Sequence, residues 1–67
     1  IFYPDFVCML EHGRILAVEY KNSRDWDLPE NEEKRRLGAL WEMRSDGKCF
    51  FIMPRGKDFE AIRAKVQ

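Results

Sequence analysis

One histidine and two cysteines in 67 residues leave little for soft-metal or disulfide chemistry. Cys8 and Cys49 stand 41 positions apart and cannot build a disulfide framework, and with His12 alone they fall short of any zinc-ligand spacing. Each cysteine lies in an apolar run, so the expectation is two buried, reduced thiols in a cytoplasmic protein. Long hydrophobic runs are missing as well. None exceeds the five residues from Cys49 to Met53, against the roughly 20 that cross a membrane, so no membrane partner is expected. No loop of the Gly-x-x-x-x-Gly-Lys type occurs, which excludes an ATP site from this segment. Neither charge sign is in excess: twelve Lys+Arg meet twelve Asp+Glu, which excludes a basic nucleic-acid coat and an acidic tail. What is present is 45% apolar residues, with five Phe, two Trp and two Tyr, and that content argues against disorder. A chain of this length holds one domain with a core worth only about 3–5 kcal/mol. Beginning at Ile1 and not at methionine, residues 1–67 are expected to form a single partial domain, the C-terminal end of a longer protein.

The apolar runs Phe6–Leu10 and Ile15–Val18 flank Glu11-His12-Gly13-Arg14 and read as a β-hairpin. With Gly13 in the left-handed position of a three-residue loop, Leu10 pairs with Arg14. Met9 then faces Ile15, Val7 faces Ala17 and Asp5 faces Glu19. A two-residue loop at His12-Gly13 would instead put the two acids on different faces. A polar loop runs from Asn22 to Glu30. Pro29 and the acids Glu30, Glu32 and Glu33 mark the start of a helix, Arg44 its end, and Leu37, Leu40 and Trp41 its buried stripe. Extended backward, that stripe turns Glu33 and Lys34 toward the sheet. Lys34-Arg35-Arg36 otherwise reads as a solvated helix face, and Trp41 as core. After Ser45-Asp46-Gly47, Lys48–Met53 reads as a strand buried on both faces and parallel to Ile15–Lys21. Asp58 caps a closing helix that carries Phe59, Ile62 and Val66 on one face. The fold class is α/β, in the order β-hairpin, helix, parallel strand, C-terminal helix.

Asp5 at the start of the hairpin and Glu19 at its end become cross-strand neighbours, about 5 Å apart at Cβ. Lys21, two residues beyond Glu19, emerges on the same face. Two like charges that close repel each other, and a divalent cation between them is the simplest explanation. All-oxygen ligands favour Mg2+ or Mn2+ over zinc. Such an ion polarises a phosphoryl oxygen and activates a bound water, with Lys21 offsetting transition-state charge, which is the chemistry of phosphodiester hydrolysis. The plainer reading is that Asp5 caps a turn and Glu19 and Lys21 form an edge-strand ion pair. Trp26, in the loop beside these residues, is a packing residue or else a platform for an unpaired base.

Tyr3-Pro4-Asp5-Phe6 and, with thirteen residues between Asp5 and Glu19, Glu19-Tyr20-Lys21 resemble the signature of the PD-(D/E)xK nuclease superfamily, which includes many restriction endonucleases. The segments Val18–Lys21, Glu33–Glu42 and Ser45–Pro54 further resemble the C-terminal nuclease region of DEAD/DEAH-box helicases of the type III restriction enzyme kind. The resemblance spans about Phe2 to Ile62. It implies a restriction endonuclease-like core lacking the leading helix and strand, with Asp5, Glu19 and Lys21 catalytic. It also implies Asp5, Glu19 and the Tyr20 backbone carbonyl as ligands of Mg2+, with Mn2+ as a substitute. Glu33 and Lys34 become accessory candidates, Lys34 as a cation that meets a DNA phosphate. The partners implied are DNA and either the remainder of a helicase chain or a second copy that completes the sheet. The expectation is a Mg2+-dependent DNA endonuclease. The alternative is a catalytically silent DNA- or protein-binding module on the same scaffold.

Overall fold

Gly13, at φ 74°, turns the chain between β1 (Phe6–Met9) and β2 (Ile15–Val18), which pair antiparallel in the computed structural model, where residues 4–66 are described. Ile1 to Tyr3, where the sequence motif ending in Pro4-Asp5-Phe6 opens, and Gln67 lie outside the described residues. The register is the expected one: Met9 faces Ile15, Val7 faces Ala17, and the Leu10 N–H donates to the Arg14 carbonyl at 2.8 Å. His12 also adopts a left-handed conformation, φ 62°, which breaks the helical geometry of the short Glu11–Gly13 turn in the loop.

Helix α1 (Pro29–Arg44) begins at its proline and ends at Ser45, whose hydroxyl donates to the Glu42 carbonyl at 2.8 Å and accepts the Cys49 N–H at 2.9 Å. That double contact stitches the helix end to β3 (Cys49–Ile52), which runs parallel to β2 with Ala17 beside Phe51. The strand order is β1-β2-β3, and an isolated parallel bridge between Lys21 and Arg55 prolongs the β2–β3 side. Asp58 caps α2 (Phe59–Val66) by accepting the Ala61 N–H at Oδ1, 3.1 Å. The result is a small mixed α/β fold with a three-stranded sheet and two helices among the described residues. No helix there is long and apolar enough to cross a membrane.

The buried hydrophobic residues are Leu16, Ala17, Val18, Phe51 and Met53, of which Ala17, Phe51 and Met53 cluster, flanked by Trp26 and by Trp41 as expected. The organiser of this cluster is Gly38. A β-carbon built there would fall inside contact distance of the Phe51 ring, so only glycine lets α1 lie this close to β3. That contact rotates the helix away from the expected stripe. Asn31 and Gly38 are buried and Lys34, Arg35, Trp41 and Glu42 half-buried, at helical spacing, whereas Leu37 and Leu40 are 51% and 38% exposed. Glu33 is exposed for the same reason, not turned toward the sheet, and of Lys34-Arg35-Arg36 only Arg36 lies on the solvated face. Two further expectations are corrected. β3 lies at the sheet's edge and is only half-covered at Cys49, Phe50 and Ile52. The thiols are free but not buried: Cys49 is half-exposed and Cys8 exposed, because all four residues of β1 are exposed on both faces.

Candidate functional site

The Glu19 backbone is held against β3, its N–H donating to the Ile52 carbonyl at 3.1 Å, so its side chain continues the face of Ala17 beneath α1. It is only 4% exposed. A carboxylate this buried needs opposite charge and hydrogen bonds. Two ammonium groups supply them: Lys21 Nζ at 3.4 Å, from two residues along the same strand, and Lys34 Nζ at 3.2 Å, from the first half of α1. Both meet the same oxygen, Oε2. Both lysines remain partly exposed, so the pairs are screened and act more on geometry than on stability.

Asp5 precedes Phe6, which pairs with Val18, so one further step of the ladder sets Asp5 beside Glu19 as the three-residue loop requires. Its Oδ2 accepts the Tyr20 N–H at 2.8 Å, across fifteen residues of chain. Asp5 therefore bridges the two strand ends and does not cap a turn, while the Glu19–Lys21 half of the plainer reading is realised. Each carboxylate keeps one oxygen, Asp5 Oδ1 and Glu19 Oε1, that no donor among the described residues reaches.

Those two oxygens are the test of the implied metal. Among the described residues no group of three or more His, Cys, Asp or Glu could hold an ion. Magnesium does not need one: one or two carboxylates suffice, with water and substrate phosphate filling the octahedron. Two hard carboxylate oxygens with no Cys or His beside them favour Mg2+ or Mn2+ over zinc.

Of the other sequence candidates, Lys34 joins the site through Glu19. Glu33 does not, being exposed and without an ion pair among the described residues. Trp26 is a strut: its indole N–H donates to the Met53 carbonyl at 2.7 Å, and the Arg35 and Arg55 guanidinium carbons lie 3.5 and 4.5 Å from its ring centre. Arg35 also donates to the Trp26 carbonyl at 2.6 Å, which closes the loop that follows Lys21. Sequence reasoning missed this Arg35–Trp26–Arg55 clamp, whose partners are separated by long stretches of chain. It also missed Glu42, whose Oε2 accepts the Phe51 N–H at 3.2 Å and whose Oε1 pairs with Lys65 at 2.8 Å. A glutamate seven residues before the start of an edge strand carries no signal of that role. Comparison of the chain with protein-family models, with curated proteins and with solved structures finds no match in any of the three.

Proposed function

We propose that this chain carries a Mg2+-dependent deoxyribonuclease site of the PD-(D/E)xK type, hydrolysing DNA phosphodiester bonds. The observation that carries it is the pair of adjacent acids, Asp5 and Glu19, each with an oxygen unengaged among the described residues, beside the Lys21 and Lys34 ammonium groups. When bound, the metal supplies a polarised phosphoryl oxygen and an activated water. Asp5 Oδ1 and Glu19 Oε1 would hold it, with the Tyr20 carbonyl as a further ligand. Lys21, anchored on Glu19, orients the attacking water and offsets charge developing on the phosphoryl oxygens. Lys34 keeps the Glu19 carboxylate in place from the α1 side. Water attacks phosphorus and gives up one proton to solvent, one P–O ester bond breaks, and the departing sugar oxygen takes a proton from solvent. In the intact protein this site serves a restriction-type helicase–nuclease, whose ATP chemistry lies elsewhere.

A second reading is a catalytically silent module that binds DNA or protein. It is favoured by one observation: the two lysines already balance Glu19 without a metal. Nicking of supercoiled plasmid by the intact protein separates the two. The nuclease reading requires Mg2+-dependent nicking by wild type that Asp5→Ala and Lys21→Ala both abolish. Equal nicking by all three overturns the site, and none by wild type establishes the silent module.

A further inference from the structure

Behind the acid site, at the same end of the sheet, lies an open cavity of about 470 Å³, of whose lining the proposed phosphodiester chemistry uses only Lys21 and the Tyr20 backbone. Its volume is within the roughly 300–1,000 Å³ typical of small-molecule sites. Tyr20 alternates with Glu19 and Lys21 along the strand, so its ring projects to the opposite face. There it meets Phe6 and Phe59 at near right angles, with ring centres 5.7 and 6.5 Å away. Both phenylalanines are mostly exposed, Phe59 at 61%, which leaves uncovered π surface around a partly buried tyrosine.

Three polar features distinguish this cluster from a bare apolar patch. Lys57, exposed at the rim, pairs with no acid among the described residues. Asn22 accepts the Asp25 N–H at Oδ1, 2.8 Å, so its amide nitrogen is left with two donors and no acceptor among the described residues. Lys21 lines the cavity and also reaches Glu19. The position of Lys57 is itself built: Gly56, at φ 65°, donates to the Lys21 carbonyl and returns the loop to the sheet end.

We propose that this cavity receives one unpaired base of the DNA strand whose phosphate is engaged by the Glu19–Lys21 site. The base stacks on the exposed phenylalanine faces, its edge accepts from the Asn22 amide, and Lys57 meets the adjoining phosphate. The identification of the occupant as DNA rests on the nuclease reading, together with the match of cationic rim to polyanion. An apolar peptide would use the rings and leave Lys57 and Asn22 without a role.

The test is equilibrium binding to the wild-type protein, in EDTA so that no cleavage occurs. The probes are a fluorescent oligothymidylate and an abasic strand of the same length. The base-bearing strand binds more tightly by about tenfold, the stacking contribution of one base. Phe59→Ala removes that difference and Phe59→Tyr keeps it, while Lys57→Ala weakens both strands alike. Equal affinity of wild type for the two strands overturns the proposal without depending on any variant's folding, as does an undiminished difference in Phe59→Ala. Because no metal is present, loss of plasmid nicking would sink the catalytic reading and leave this result standing.

Discussion

Glu19 and Glu42 are both glutamates set between α1 and the sheet, each with a lysine at salt-bridge distance, yet they are engaged differently. Glu42 has both oxygens occupied, one by the Phe51 N–H of the β3 edge and one by Lys65 of α2, so it is a clamp across three elements. Glu19 gathers two lysines on a single oxygen and keeps the other clear of donors among the described residues. It is also the more buried, its side chain 5% exposed against 23% for Glu42. Burial with full engagement describes a structural carboxylate. Burial with one oxygen clear of donors among the described residues, next to the exposed Asp5 that also keeps one oxygen clear, is the arrangement the proposed cation site would use.

Exchanging the two residues' fates is the sharpest way to break this contrast. Glu19→Gln is expected to lower Mg2+-dependent nicking at least about a hundredfold while thermal stability stays close to wild type, since the freed Lys21 and Lys34 reach solvent. Thermal melts and plasmid assays on the same preparation check both halves. Gly38→Ala probes the frame that brings Lys34 to Glu19. The helix gains up to about 1 kcal/mol in propensity, but collision with Phe51 costs about 1–3 kcal/mol, so the net effect is a loss. In a domain of this size the melting midpoint falls about 4–8 °C per kcal/mol. Glu42→Gln reverses the Glu19 pattern: about 1 kcal/mol of stability is lost with the Lys65 pair, seen by urea denaturation, and nicking is unchanged. Arg36→Ala, which removes only the exposed i,i+4 pair with Glu32, is expected to cost less than about 0.5 kcal/mol in the same titration.

The hairpin, its register, the parallel third strand and both helix starts were legible because each rests on local chemistry. Gly13 is needed for a left-handed turn, Pro29 opens α1, and Asp58 caps α2. Register in turn made the Asp5–Glu19 adjacency legible, since one residue of slip would have separated them. The rotation of α1 was not legible. Hydrophobic periodicity favoured Leu37 and Leu40, but the close approach of Gly38 to Phe51 selected a polar stripe and left those leucines outside. Lys34 was reached by the wrong stripe, which erred on Glu33 and still included a residue that contacts Glu19. The cysteines misled because an apolar run was read as a buried one, and β1 is apolar and bare.

The most direct measurement is Mn2+ binding followed by electron paramagnetic resonance, in which free Mn2+ gives a sharp signal that binding removes. Titration into wild type and Glu42→Gln is expected to show one saturable site of matching affinity, and into Glu19→Gln none. Equal binding by Glu19→Gln and wild type, or no binding by wild type, would contradict the assignment of Asp5 and Glu19 as a shared metal site.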